Sequence, residues 1–543
     1  MTPAQWMNHE DVTSILTTQV LPSPWFVAQR HLEGPNHRED WFCALVPVDL
    51  VTERLQDNSW DADMKLGRPS VVSYHKDEGW TPDRIEGRFG NENGIEPLVI
   101  YRDYDGMRPD HYEVAEEFRL FHNLFFEPAK RRLIHIDDQG NESEAVRLGP
   151  NSVEIRTDLL TRYLAAKGMA LAVYVDSFRK SNQSLNDLNL TRGGDPVIGA
   201  SYSYHQILGS ETHVGPGDFK SSSGFLGKKY VSPDALGPIP QSPPEAYQEF
   251  IIKTDAAGQP IRHTCDPERL ANYFGKNPGA PHYLTPVFFR PDVLAKYRAD
   301  PQKYAVEDGI LRCGSLWSMR LDNDQADHVS AYLGDLGRDL SESERNYWLS
   351  FNIPPEGRKI SATNFTRSFM GQPKNPDQPD LLFKLQYARF RPDFRRAHGW
   401  DFFLPLHSDD EHVLTAFHLL TSDNQAEFDR QVLGLTKLMV DSLNEAEIAK
   451  GLRTILPNDK GIAKLEKFFI ERGLVGFEPH IKFIRTLQDL RSTSAAHRKG
   501  SKYEKLIQDL NWSDSGPQKV FTDLVASAIA AITYLRANLL PPA

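Results

Sequence analysis

The chain has 543 residues, 40% of them apolar and 25% charged, so it can bury several cores, and wholesale disorder is excluded. Its formal net charge of −12 excludes a surface that coats nucleic acid all round, while leaving room for a local basic patch. Cys43, Cys265 and Cys313 are too widely spaced for a disulfide framework or a zinc pattern, and they suit a reducing compartment.

The length suggests roughly two to four domains. The opening residues lack a basic stretch followed by an apolar run, so no signal peptide is expected. No apolar run approaches the roughly 20 residues that span a bilayer. The expectation is a cytoplasmic protein with no membrane partner.

Residues 1–403 mix strand and helix signals with frequent Gly and Pro. Strand-like runs rich in β-branched and aromatic residues fall at Pro97–Tyr101, Leu133–Ile136 and Ala170–Val175. Helical spacing of Val114, Phe118, Phe121 and Phe125 predicts a helix over Glu113–Phe126, and Arg156–Lys167 follows the same logic. Such alternation predicts a mixed α/β region. Proline-rich Ser232–Pro244 reads as a connector that divides this region into two lobes, and Gly371–Asp380 reads as a loop.

From residue 404 to 543 prolines become scarce and helical periodicity takes over. Helices are predicted over Glu411–Thr421, Gln425–Asn444, Lys460–Arg472, Glu478–His497, Tyr503–Leu510 and Gln518–Leu539. Pro479 is tolerated in a first turn, and Gly500 is placed to end the fourth helix. The predicted fold class is therefore α+β, a large mixed region followed by an all-α helical bundle.

Within that bundle, Lys482–Lys505 carries Lys482, Arg485, Arg491, Arg498, Lys499, Lys502 and Lys505 against only Asp489 and Glu504. Such a window focuses anions, although cations at a helix C-terminus are also favoured for structural reasons. Arg491 and His497 stand out in it. Attack of a 2′-hydroxyl on its neighbouring phosphate needs proton transfer and relief of negative charge. A histidine titrates in the right range for the first, and a guanidinium offers a fork of donors for the second. Six helical positions correspond to about 9 Å of rise and roughly 120° of rotation, so the two side chains diverge on one straight helix. A second copy of the chain, or a helix that ends before His497, would bring such groups together. An arginine followed by a histidine after six intervening residues, one more than here, also occurs at Arg30…His37, Arg68…His75 and Arg391…His398, but each of those stretches contains proline.

A proline-poor helical bundle bearing Arg491-x5-His497 resembles the HEPN superfamily, whose active members are metal-independent ribonucleases with an Arg-x4–6-His motif. The resemblance covers the last quarter of the chain. It implies a composite site built from two motifs across a homodimer or higher homo-oligomer, with no cofactor and no metal. By motif match Arg491 would hold the scissile phosphate and His497 would act as acid/base. Arg485, Ser492, Arg498, Lys499 and Lys502 would contact the RNA. Ser492 departs from the Asn, Asp or His often found after the motif arginine. The resemblance further implies a bacterial antiphage or toxin-type effector, whose front region senses a phage-derived trigger or restrains the nuclease. The alternative reading is a HEPN-like module that binds RNA or dimerises without cutting.

Other stretches point to less. Tyr387–Trp400 interleaves Arg389, Arg391, Arg395 and Arg396 with Phe390 and Phe394, which reads as an interdomain hinge or a single-strand binding surface. Asp322–His328 is acidic but fails the calcium-loop pattern and reads as a solvated turn. Ser221–Lys229 has the flavour of a phosphate loop without its spacing. His205 and His213 lack an evident third ligand.

Overall fold

The computed structural model describes all residues except 19–20, 61–69, 73–74, 77–78, 81–83, 87–93, 192, 211–217, 234–244, 458, 496–500 and 542–543. For residues 70–72, 75–76, 80, 84–86, 494–495 and 501–502 it describes the backbone only. The chain forms two compact units, Met1–Pro243 and Pro244–Ala543.

The first unit is built on an eleven-stranded sheet. From one edge the order runs Phe125–Glu127, Arg132–Ile136, Glu142–Leu148, Ser152–Arg156, Trp25–Gly34, His37–Pro47, Met169–Ser181, Ser221–Val231, Tyr202–Ser210 and Val197–Ile198. Neighbours pair antiparallel, and Glu96–Pro97 joins onto His37–Pro47. Side chains alternate between the two faces of each strand. One face packs Phe26, Trp41, Cys43, Val173, Phe225 and Val231 under the helices Glu10–Thr17 and Thr157–Lys167. The other buries Ala44, Val46, Ala172, Tyr174 and Tyr230 beside the helix Val51–Gln56.

Two elements of this unit differ from expectation. The predicted helix over Glu113–Phe126 is helical only over Glu116–Phe121, because Asn123 adopts φ 48° and the chain then enters the strand Phe125–Glu127. The glycine-rich run at Ser221–Lys229 lies inside the strand Ser221–Val231. Gly227 is needed there. A Cβ would lie 2.4 Å from Leu16 Cδ1 and 2.8 Å from Val175 Cγ1, so its absence lets the helix Glu10–Thr17 settle on the sheet.

The second unit has two cores. The first gathers Phe250, Val287, Phe289, Tyr297, Leu311, Leu336 and Trp348 around two three-stranded antiparallel sheets. These are built from Val329–Tyr332, Pro286–Phe289 and Asn352–Ile353, and from Tyr304–Glu307, Ile310–Cys313 and Trp317–Arg320. The second core is helical and starts upstream of residue 404. The helix Pro379–His398 contributes Phe383, Tyr387, Phe390 and Phe394 to it. The Arg-rich stretch read as a hinge is thus an amphipathic core helix, with its arginines on the outer face and its aromatics inside.

The other helices of that core are His412–Ala416, Gln425–Thr436, Glu445–Lys450, Gly461–Glu471, Glu478–Leu490, Ser501–Asp509 and Trp512–Leu539. Two predicted long helices are interrupted. Gln425–Thr436 passes into a π-helical turn at Lys437–Asp441, and Glu478–Leu490 passes into another at Arg491–Ala495. Trp512–Leu539 contains a break at Gly516, φ 74°. That helix is long and apolar enough to cross a membrane, and its Phe521, Leu524, Val525, Ala528 and Ile532 lie in the helical core. The protein is therefore α+β, with a large sheet region first and a helical region last.

Candidate functional site

The two π-helical turns lie close together, because Gln425–Thr436 packs along Glu478–Leu490 and against Arg491–Ala495. Each wide turn has a local cause. Ser492 and Thr493 donate their hydroxyls to the Asp489 carbonyl at 3.0 and 2.6 Å, an alternative to the regular helical ladder. In the other turn the Leu438 carbonyl accepts from Ser442 Oγ at 2.5 Å and from Tyr387 Oη at 3.2 Å. Thr436 Oγ1 reaches both Val432 O, at 2.8 Å, and Leu487 O, at 3.4 Å, tying the two segments together. π-Turns inside helices recur at functional sites.

Arg491 opens the second turn. Its Nη1 donates to Asp441 Oδ1, the last residue of the first turn, at 2.5 Å. The guanidinium is 41% exposed and the carboxylate 34% exposed. One donor of the fork is occupied, and the others have no partner among the described residues. Arg485, six residues earlier, pairs with Glu466 at 2.5 Å and is 52% exposed. Ser492 is exposed. His497, Arg498 and Lys499 lie outside the described residues, and Lys502 is placed by its backbone alone in the helix Ser501–Asp509. The structure therefore brings Arg491, Ser492 and Arg485 to one helical segment and adds Asp441. That contact spans fifty residues and is invisible to local pattern reading.

The remaining sequence candidates resolve into structural roles. Arg30 and His37 sit on adjacent strands, and Arg391 and His398 on the core helix Pro379–His398. Arg68 lies outside the described residues. The stretch Asp322–His328 is no solvated turn: Asp322, Asn323, Asp324 and His328 are all buried. Asp324 accepts from the backbone N–H groups of Asp377 and Gln378 at 2.8 and 2.6 Å, which anchors the start of the helix Pro379–His398. Asp322 accepts from Ser361 N at 2.6 Å. Both line a polar cavity of about 590 Å³ whose wall also holds the bidentate Arg367–Asp308 pair. His205 lies on the strand Tyr202–Ser210, and His213 lies outside the described residues. Among the described residues no three His, Cys, Asp or Glu side chains converge as a metal site.

No protein-family model, curated protein or solved structure matches the chain.

Proposed function

We propose that the chain is a metal-independent endoribonuclease of HEPN type, with Arg491 gripping the scissile phosphate and His497 moving the proton. The observation that carries the reading is Arg491 itself, a half-exposed guanidinium on a π-turn that is oriented by Asp441 and has most of its donors unpaired among the described residues. A carboxylate on one nitrogen fixes the plane of the fork, and a phosphate can take the opposite edge. The basic run from Lys482 to Lys505 supplies the attraction for a polyanion that a −12 chain otherwise lacks.

Two chains would pair so that both motifs serve one phosphodiester, and the regions ahead of the helical core would restrain the site until a phage-derived trigger releases it. The setting is antiphage abortive infection in the cytoplasm. The second reading is binding without cleavage, in which Arg491, held by Asp441, and the basic run grip RNA while no proton is moved.

Incubation of the full-length protein with labelled tRNA and mRNA in excess chelator separates the two. The nuclease reading expects cleavage by wild type, lowered at least about 100-fold in Arg491→Ala and in His497→Ala. Binding that persists with no cleavage by wild type favours the second reading.

A further inference from the structure

Two consecutive lysines on the strand Ser221–Val231 are buried on opposite faces of the sheet, and their surroundings differ in kind. Lys228 is fully buried and fully paired. Its Nζ donates to Asp57 Oδ1 at 2.6 Å, Asp57 O at 2.8 Å and Ser59 O at 2.9 Å. Lys229 is 5% exposed, and its only partner among the described residues is the Ile15 carbonyl at 3.4 Å, a long contact at the end of the helix Glu10–Thr17. Among the described residues no carboxylate pairs with it. Burial holds its pKa below the ordinary lysine value, with nothing opposing the shift.

Lys229 lines an apolar cavity of about 330 Å³ between that helix and the sheet, walled by Ile15, Leu16, Leu21, Phe26, Trp41 and Val173. Arg30 lines the same cavity, and its Nε is buried without a partner. The acid that pairs with Arg30 is already engaged. Glu39 accepts from Arg30 Nη2 at 2.5 Å, from Trp41 Nε1 at 2.6 Å and from Arg179 Nη2 at 3.1 Å. Among the described residues the cavity therefore carries two cationic groups with unused hydrogen-bonding capacity and no free anion.

An ammonium taken out of water without a counter-charge is costly, and a methionine would fill the same space without the charge. We propose that this cavity binds a small amphipathic carboxylate, its apolar body against Phe26, Trp41 and Val173 and its carboxylate on Lys229 and Arg30. The volume lies at the small end of ligand cavities. A carboxylate presents two acceptor oxygens and matches the two cationic side chains. A phosphate would leave further oxygens facing leucine and phenylalanine. This site and the helical region stand or fall separately, since the binding test uses no RNA.

Titration calorimetry on the full-length protein with decanoate and with 1-decanol is the test. The site predicts saturable decanoate binding, one molecule per chain, at least about tenfold tighter than decanol. Lys229→Met keeps the apolar volume but leaves only Arg30 for the carboxylate, so its preference for decanoate should fall at least about threefold, while Lys229→Arg keeps the preference. No saturable decanoate binding by wild type overturns the proposal. Equal affinity for decanol does the same, as does an undiminished decanoate preference in a Lys229→Met protein whose circular dichroism matches wild type.

Discussion

The sheet unit and the helical core treat positive charge in opposite ways. In the sheet unit cations go inside: Arg179 is 3% exposed and bound bidentately by Asp11 with Glu39 behind it, while Lys228 is shut in with Asp57. In the helical core the hydrophobic cluster is aliphatic and aromatic, with Thr436, Gln431 and Ser442 among the polar groups buried beside it, and Arg485 and Arg491 stay on the rim, each with one partly exposed acid. A buried ion pair sets geometry at the expense of desolvation, whereas a rim pair is weak, screened by salt and open to exchange with another anion. The sheet unit thus uses charge to define interior positions and a cavity. The helical region keeps charge where a polyanion can reach it.

The largest expected effect breaks an interior pair. Asp57→Ala leaves the Lys228 ammonium buried without its carboxylate and should cost about 3 kcal/mol or more in urea unfolding. A loss below about 1 kcal/mol would place the comparison in error.

Acid comes next. Burial and the nearby Arg179 lower His9 to about 3, burial lowers His122 to about 4, and burial with Arg298 lowers His418 to about 3. All three are therefore neutral in the folded protein, while the unfolded chain takes up protons near pH 6.5. Stability is full above that value and falls as pH drops toward 4 and then 3. By pH 5 each histidine should cost about 2 kcal/mol. His9 and His122 belong to the sheet unit and His418 to the second unit, so His9→Gln and His418→Gln should each flatten the unfolding profile between pH 7 and 5.

Lys229→Met should act with the opposite sign to Asp57→Ala and stabilise the protein by about 1–2 kcal/mol, because it removes an unpaired buried ammonium. A shift in thermal midpoint reports it. The smallest effect is at the rim. Asp441→Ala should change stability by less than about 1 kcal/mol, as a half-exposed pair contributes little, and should tighten RNA binding by freeing Arg491. Filter binding at two salt concentrations measures the second part.

Periodicity made much of the helical core legible. Phe428, Val432, Leu435 and Leu438 face the core as their spacing requires, and Pro479 stands in a first turn. The helix Pro379–His398 was masked by its own outer face, where four arginines and Pro392 suggested a hinge. The burial of Asp322 and Asp324 could not be seen, because the N–H groups that satisfy them belong to Ser361, Asp377 and Gln378, far along the chain. Lys228 and Lys229 were hidden for a related reason. Serine and glycine disguised the strand, and only the sheet reveals that one lysine meets Asp57 while the other meets a cavity. At the candidate site, chemistry pointed to Arg491. Its orientation by Asp441 needs the third dimension.

The chemistry of the RNA ends is the most direct measurement of the account. Fragments released by the full-length protein in chelator should carry 2′,3′-cyclic phosphates and 5′-hydroxyls, the signature of attack by the neighbouring 2′-oxygen with Arg491 and His497 as the only equipment. Fragments ending in 3′-hydroxyls and 5′-phosphates, or cleavage that appears only when a divalent cation is added, would contradict it.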